Sequence, residues 1–362
     1  MKSEEFEMYQ EQEKVQDCNP KIAVVIPVFN VGSYLAECLD SFLAQTYKNF
    51  NLYVVNDGST DLSGEVLNRY KEIDLRIQVI HKKNEGVSSA RNVGLKAAIH
   101  DKSVEYICFV DGDDKVTETF LQDMLEAMTS ADVQYGFCLY QEFGKNGLKE
   151  FSVGSVKAFP QTNILTSSDE VAASYFLLGR WKDCCGLNKF LNNKMFHKDL
   201  LNECYFKTDL PVAQDMEFFL QVLPKIKKAV FVEKFLFLYR RRKSSSSLRE
   251  KLLKECRYRI FTEMMTELNK FPSVARVSIQ NDYVNSVYEL FRFALAYEDT
   301  YWIERLKPVI RGLLLKNWLC SLSIKVRKRL ILLTLPLFIQ KKLAKKSAFK
   351  KVSKSERRDY FD

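Results

Sequence analysis

Three carboxylates stand within four residues, in the run Asp111-Gly112-Asp113-Asp114, directly after the apolar run from Tyr106 to Val110. Like charges a few ångströms apart repel, so such a cluster is costly unless hydrogen bonds or a cation compensate it. Mg²⁺ and Mn²⁺ suit the cluster, because they prefer oxygen ligands and often share one or two carboxylates with a substrate diphosphate. Asp-Gly and Asp-Asp pairs also form turns and begin helices. The four residues alone therefore leave a turn and a metal site equally open.

The elements that must position this cluster alternate between strands and helices. Apolar runs at residues 22–29, 52–55, 77–80 and 106–110 predict four strands, and the segments between them have helical periodicity. The alternation predicts an α/β fold with a doubly wound, mostly parallel sheet flanked by helices. Ligands of such sheets bind beyond the carboxyl ends of the strands. Polar or turn-forming residues follow each predicted strand, at 27–30, 56–61, 84–86 and 111–114.

Four ordered motifs at these strand ends resemble those of the family 2 glycosyltransferases of the GT-A fold, in particular the bacterial cell-surface or exopolysaccharide type. They are Val25-Ile26-Pro27-Val28-Phe29-Asn30, Val55-Asn56-Asp57-Gly58-Ser59-Thr60-Asp61, Asn84-Glu85-Gly86-Val87-Ser88-Ser89-Ala90-Arg91-Asn92 and Phe109-Val110-Asp111-Gly112-Asp113-Asp114. The resemblance is close over about residues 21–130, weaker to about 245 and general beyond. It implies a GT-A fold and an inverting, metal-dependent enzyme of hexosyltransferase type. A UDP-sugar would donate one sugar to a hydroxyl of a lipid-linked or oligosaccharide acceptor in capsule, exopolysaccharide or lipopolysaccharide synthesis.

The resemblance also implies roles for individual side chains around the nucleotide-sugar. The residues that would bind the donor are Pro27, Phe29 and Asn30 in the nucleotide pocket, Asp57 on the uracil or ribose, Arg91 near the base and diphosphate, and Asp111. Asp111 and Asp113 match the family's D-x-D pair, and Asp113 is expected to bind Mn²⁺ or Mg²⁺. Asp114 shares or replaces that role, because family members differ in which carboxylate touches the metal.

Two further roles fall in the second half of the chain. Asp215, in Gln214-Asp215-Met216-Glu217, stands where the family has the Asp of a Glu-Asp pair, which implies the general base that deprotonates the acceptor. Gln214 departs from that pair, and a helix cap is the alternative interpretation of Asp215. Arg240 and Arg242 resemble the family's arginines near the leaving diphosphate, whose oxygens pair well with guanidinium groups. A solvated basic turn is the alternative there.

Two alternative functions are consistent with part of the sequence pattern. Asp111-Gly112-Asp113 fits the start of the Asp-x-Asp-x-Thr motif of haloacid-dehalogenase-like phosphatases, but Lys115 stands where Thr or Val is wanted. A catalytically impaired GT-A scaffold that binds a partner is the second alternative. A nicotinamide-dependent oxidoreductase is disfavoured, because the turn after the first strand contains only Gly32 instead of a Gly-x-Gly-x-x-Gly sequence.

Charge is concentrated in the C-terminal tail. The 362-residue chain has a net charge of +9, but residues 311–362 carry 15 Lys and Arg against three acids, which leaves −3 for the rest. We therefore expect no nucleic-acid partner. In the tail, Lys and Arg clusters flank the ten-residue apolar run 330–339, which is too short to span a bilayer. This pattern suits peripheral contact with an anionic membrane, and a core helix with a solvated basic end is the alternative.

The remaining composition indicates a cytoplasmic protein. Nine scattered cysteines without a C-x-x-C pair are typical of buried thiols in a reducing compartment, and no signal peptide is expected from the acidic first 20 residues. We predict four regions: a flexible acidic leader at 1–20, a nucleotide-sugar-binding half at 21–130, an acceptor-binding half at 131–245 and a helical region with a basic tail at 246–362. If the tail contacts membrane, it does so on the cytoplasmic face of the inner membrane.

Overall fold

The computed structural model describes residues 19–144, 147–148, 164–178, 191–240, 247–314, 322–335 and 339–345. The strands are β1 (Lys21–Val28), β2 (Phe50–Asp57), β3 (Ile77–Lys82), β4 (Val104–Phe109), β5 (Lys115–Val116), β6 (Tyr135–Gly144), β7 (Gly147–Leu148), β8 (Ile164–Leu165), β9 (Lys194–His197) and β10 (Ala229–Arg240). The helices are α1 (Gly32–Leu43), α2 (Ser63–Ile73), α3 (Val87–His100), α4 (Phe120–Ser130), α5 (Ser168–Leu178), α6 (Gln214–Val222), α7 (Ser247–Thr266), α8 (Ser273–Tyr297), α9 (Thr300–Leu314) and α10 (Ile324–Leu333).

The four strands expected from the sequence form the parallel part of the sheet, in the order β3-β2-β1-β4. β1 is parallel to both β2 and β4, so the chain connections diverge on either side of β1. The carboxyl ends of β1 and β4 are therefore the topological switch point, where ligands of such sheets bind. The predicted α/β fold, with its mostly parallel sheet, is confirmed.

The other part of the sheet is mixed, in the order β4-β9-β6-β10-β5. β9 is antiparallel to both β4 and β6, whereas β10 is parallel to β6. The sequence analysis does not predict β9, because four residues are too short for a periodic signal. Its position matters, because β9 brings the residues that precede it beside the end of β4.

Helix α3 lies very close to the sheet at Gly94. A Cβ at this position would stand 2.5 Å from Val25 Cγ1 and 3.3 Å from Val55 Cγ2, so only glycine permits this approach. The close contact fixes the N-terminal half of α3, which carries Arg91, over the ends of the central strands. The packing of α3 against the sheet thereby places the buried guanidinium group of Arg91 at the switch point.

The chain forms two compact units that interleave along the sequence. The first unit contains residues 1–164, 185–205 and 228–241, and the second contains 165–184, 206–227 and 242–362. The predicted boundary at residue 245 falls close to the last crossing between units, but the region 131–245 is divided between them. The difference arises because α5 contacts α8 and its residues lie with the C-terminal helices, which no local pattern indicates. The predicted leader lies almost entirely outside the described residues.

Each unit has its own apolar core. In the second unit, α8, α9 and α10 bury a cluster that includes Leu290, Leu306 and Leu330. The five cysteines that the structure describes are buried free thiols, as expected: Cys38, Cys108, Cys138, Cys204 and Cys256. Across the described ranges, the helices are each too short or too polar to cross a membrane.

Candidate active site at the carboxyl edge of the sheet

The loops after β1 and β2 are joined by hydrogen bonds. The backbone N–H of Asn30 donates to Ser59 Oγ at 3.1 Å, and Asn30 Oδ1 accepts from the Thr60 N–H at 2.9 Å. Asn30 has φ 52°, a left-handed conformation that Asn tolerates better than most residues. Next to it, the large ring of Phe29 is 47% exposed. Two of the predicted site residues thus lie together at the end of β1: Asn30 joins the two loops, and Phe29 presents an accessible aromatic ring.

Asp57, the last residue of β2, is 2% exposed and organises the turn that begins α3. Its Oδ1 accepts from Lys82 Nζ at 2.7 Å and from the Glu85 N–H at 3.1 Å, and its Oδ2 accepts from the Gly86 N–H at 2.8 Å. Burial alone would lower the pKa of Lys82, but its hydrogen bonds to Asp57 and Glu85 raise it overall. Each carboxylate oxygen can accept two hydrogen bonds, and Oδ2 receives one from the described residues. Asp57 thus retains capacity for one ligand N–H or O–H.

Arg91 and Asp111 form an ion pair between α3 and the loop after β4. Arg91 Nη2 lies 2.7 Å from Asp111 Oδ1, and the Arg91 side chain is 3% exposed. The family resemblance implies that Arg91 lies near the base and diphosphate, and the structure gives it a protein partner within the acidic cluster. The positive charge of Arg91 on α3 therefore compensates part of the negative charge of the acidic loop.

The acidic loop itself lies against the end of β1. Gly112 has so little room that a Cβ there would stand 3.2 Å from Val28 Cγ2 and 3.4 Å from the Pro27 carbonyl oxygen. Pro27 is buried, and its carbonyl oxygen lies close to Gly112 of the acidic loop. Asp113 is partly exposed, whereas Asp114 is 1% exposed. Of these two neighbouring aspartates, Asp113 is the more open to a ligand.

Arg240, at the end of β10, is fixed to the same loop by two contacts and to helix α1 by a third. Its backbone N–H donates to Asp114 Oδ1 at 2.7 Å, its Nε donates to the Asp113 carbonyl at 2.7 Å, and its Nη2 pairs with Glu37 at 3.0 Å. The guanidinium also lies 4.3 Å from the centre of the Phe143 ring. Arg240 is thus beside the acidic loop, as the sequence analysis expected, while Arg242 lies outside the described residues.

Asn192, which the sequence analysis did not select, completes the cluster. Its Nδ2 donates to Asp111 Oδ2 at 3.2 Å and to Asp114 Oδ2 at 3.1 Å, and the residue is 1% exposed. The only local signal is a polar Asn192-Asn193 pair before a short apolar run, which is typical of an ordinary turn. Asn192 reaches the two aspartates because β9 pairs with β4, and sequence motifs give no indication of this pairing.

Burial raises the pKa of Asp114 well above its ordinary value of 3.8, and the neighbouring charges of Asp111 and Asp113 add to the effect. An acid whose pKa is raised by folding contributes stability at low pH that is lost as the pH rises through the raised value. In the presence of EDTA, we therefore expect Asp114→Asn to melt at a higher temperature than the wild type at pH 8. The difference should shrink towards pH 4, and thermal melts across this range measure it. A difference that is constant with pH would contradict the raised pKa.

Asp215 lies in the second unit, in the first turn of α6. The residue before this helix, Ala213, has φ 64° and the helix has no side-chain cap, so Asp215 is not its cap residue. Burial raises the pKa of Tyr175 of α5, and the charges of Asp282 and Asp215 add to the effect. Tyr175 in turn stacks on Phe219 of α6 with ring centres 4.4 Å apart. Asp215 is thus half-buried on a helix held by aromatic packing.

The acidic loop also fits the oxygen chemistry of a divalent cation. Within the described ranges, no three His, Cys, Asp or Glu side chains are arranged to hold a metal ion by themselves. Mg²⁺ and Mn²⁺ commonly need only one or two protein carboxylates when a diphosphate supplies further oxygens. Asp113 and its neighbours provide such a partial ligand set, so these residues fit a metal that binds together with a nucleotide.

Comparison with known proteins gives a consistent match. Residues 23–196 match the profile described as Glycosyl transferase family 2. Glycosyltransferase GlyA of Streptococcus pneumoniae serotype 4 is 31% identical over 234 residues, which is 63% of this chain and 31% of GlyA. Glycosyltransferase GlyG of the same organism is 30% identical over 230 residues, which is 62% of this chain and 72% of GlyG. The chain thus matches less than a third of GlyA but nearly three quarters of GlyG.

Similarity to solved structures extends over the chain. TarS of S. aureus, solved as residues 1–349 in complex with UDP-GlcNAc, superposes with a TM-score of 0.59 and 19% identity. The match covers 94% of this chain and 92% of that one. At this level of identity the likeness establishes the fold, including the helical C-terminal region.

Proposed function

The chain belongs to glycosyltransferase family 2 and is a glycosyltransferase of the GT-A fold, and from this premise we propose that it transfers one sugar from a UDP-sugar with inversion. The acceptor is a hydroxyl group of a lipid-linked or oligosaccharide molecule in cell-surface polysaccharide synthesis. One observation carries the proposal: at the topological switch point, Arg91, Asn192 and Arg240 hold the carboxylates of Asp111 and Asp114, and Asp113 lies between these two residues in the same loop. Such a cluster suits a cation bound with a diphosphate.

Different residues around the acidic loop would bind different parts of the nucleotide-sugar donor. Phe29 offers an exposed ring on which a base can stack, and Asp57 can accept a hydrogen bond from the uracil or ribose. Asp113 is partly exposed and is the proposed ligand of the cation, while Asp114 is held by protein donors and supports the loop. The bound cation supplies Lewis-acid chemistry that stabilises the departing diphosphate. Arg240, and by resemblance Arg242, stabilise the same negative charge.

Asp215 is the proposed general base that activates the acceptor hydroxyl. A general base must take the proton of the acceptor hydroxyl as the oxygen attacks the anomeric carbon. Attack from the face opposite the diphosphate inverts the configuration at that carbon. The half-buried carboxylate at the start of α6 is chemically suited to accept this proton.

A donor screen followed by product analysis tests the proposal. The protein is incubated with UDP-, GDP- and dTDP-sugars, with Mn²⁺, Mg²⁺ or EDTA, and nucleotide release is measured. We expect release from a UDP-sugar only with a divalent cation, and NMR of the transferred sugar should show an inverted anomeric centre. Retained configuration would exclude the displacement, and no release from any donor would favour the impaired-scaffold alternative.

A peripheral membrane contact of the C-terminal tail is the second part of the proposal. On α10, Val326, Leu330 and Leu333 are buried in the helical core, which agrees with the core-helix alternative for that side. The opposite face presents Ile324, Arg327, Lys328 and Ile331, and both isoleucines are more than 60% exposed. Exposed apolar side chains among basic ones suit an anionic membrane surface.

Liposome flotation measures this contact. We expect the full chain to float with vesicles that contain phosphatidylglycerol and to remain below with phosphatidylcholine vesicles alone. The double variant Arg327→Glu/Lys328→Glu should lose about tenfold or more in binding, because each basic residue near an anionic surface contributes about 1 kcal/mol. The variant Lys307→Glu/Arg311→Glu changes the same charge on α9 and should still float. Equal flotation of both variants would show that α10 is not the contact.

A further inference from the structure

Asn192 is positioned unlike the motif residues of the site. It precedes β9 and is 81 residues from Asp111 and 78 residues from Asp114 in sequence. Its single Nδ2 group donates to a carboxylate oxygen of each aspartate, at 3.2 and 3.1 Å. Without this donor, two negative groups at the end of β4 would face each other with less compensation. One amide group therefore holds the two carboxylates together.

The oxygen of the same amide group, Asn192 Oδ1, differs from its nitrogen in its hydrogen bonding. Asn192 Oδ1 is buried and has no hydrogen-bond partner among the described residues. Buried polar atoms almost always have a partner in folded proteins, so this acceptor is available to a water molecule or a ligand that enters the site. Amide oxygens also bind hard divalent cations directly or through water. Asn192 is 1% exposed, and Oδ1 belongs to the same amide group whose Nδ2 contacts the acidic cluster.

The adjacent residue shows the contrast. Asn193 is equally buried, but its Nδ2 donates to the Cys138 carbonyl and its Oδ1 accepts from Lys194 Nζ at 2.8 Å. Both ends of that amide are engaged by the sheet. Asn193 therefore has a structural role at the start of β9, whereas Asn192 faces the acidic loop.

We propose that Asn192 is a positioning residue of the cation site: by joining the carboxylates of Asp111 and Asp114, it fixes the loop that presents Asp113 to a divalent metal bound with the nucleotide diphosphate. The inference rests on the proposed metal-dependent reaction and adds to it a residue outside the family's motifs. Asn192 acts through the two carboxylates, so its loss is expected to weaken metal binding rather than to remove a group that reacts.

Manganese binding in the presence of UDP tests the proposal, with free Mn²⁺ followed by electron paramagnetic resonance. We expect Asn192→Ala to raise the Kd for Mn²⁺ at least tenfold relative to the wild type. The matched control Asn193→Ala should lower the melting temperature but change the Mn²⁺ Kd by less than threefold, measured where the variant is folded. Equal Mn²⁺ affinity of Asn192→Ala and wild type, or equal weakening in both variants, would overturn the positioning role.

A charge variant provides an independent measurement. Asn192→Asp removes the amide donor and adds a carboxylate beside Asp111 and Asp114, so the metal-free protein should melt at a lower temperature than the wild type. Mn²⁺ with UDP should raise its melting temperature by more than it does in the wild type, because the cation compensates the added charge. A smaller or equal rise would contradict the inference. Failure of the wild type to bind Mn²⁺ with UDP would instead refute the proposed metal-dependent function.

Discussion

Replacement of Asp215 by asparagine is expected to lower kcat by about 10²- to 10⁴-fold, the range that a positioned general base contributes. Asparagine has nearly the same shape but cannot accept the acceptor's proton at neutral pH. Because the proposed donor residues lie elsewhere, the affinity for the UDP-sugar should change by less than about twofold. Steady-state release of UDP gives kcat, and calorimetric titration with the donor gives the affinity.

The control for this variant is Asp209→Asn, the same chemical change on an acid of the second unit. Asp209 is exposed and pairs with Arg259, so its loss should leave turnover unchanged. If Asp215→Asn retains turnover within about threefold of the wild type, Asp215 is not the base. If instead both kcat and the melting temperature fall, the packing of α6 against Tyr175 would explain the loss.

The second large effect is expected at Asp113. Asp113→Asn should lower kcat/KM by about 10³-fold, because a cation that stabilises the leaving group contributes several kcal/mol and each 1.4 kcal/mol is a factor of ten. The loss should decrease as the Mn²⁺ concentration is raised, since the variant binds the metal less tightly. Turnover measured over a wide range of Mn²⁺ concentrations tests both statements.

Two comparisons decide how this result is interpreted. Asp132 is exposed and has φ 49°, a conformation that asparagine tolerates, so Asp132→Asn is a neutral control in the first unit. Asp114→Asn tests the neighbouring carboxylate. If Asp113→Asn is as active as the wild type while Asp114→Asn is inactive and has lost Mn²⁺ affinity, the metal ligand is Asp114. Full activity in both would remove the acidic loop from the mechanism.

The local pattern of the sequence was sufficient for the parallel half of the sheet. Each strand from β1 to β4 is an apolar run between helices of clear periodicity, and the four motifs follow these strands directly. Since parallel strands end at one edge, the motifs had to meet there once the alternation was recognised. The position of Asp57, Arg91 and the acidic loop at this edge could therefore be predicted from sequence, and their chemical roles stay proposals.

Two short strands of the mixed half were beyond such reasoning. β5 has two residues and β9 has four, so neither has a periodic signal. The contacts that these elements create join residues far apart in the chain: Arg240 is 126 residues from Asp114, and Asn192 is 78 residues from it. The same lack of local signal hides the interleaving of the two units, because residues 165–184 and 206–227 join the helical unit through tertiary packing.

The amino-acid sequence by itself determined the family, the doubly wound α/β core and the presence of three carboxylates at the end of β4. Only the tertiary structure decided how that charge is held. It buries Asp114 between the backbone of Arg240 and the amide of Asn192, pairs Asp111 with Arg91 and leaves Asp113 partly exposed. The physical reason is that local periodicity specifies helices and strands, whereas the balance of buried charge depends on partners that only the order of strands in the sheet brings together.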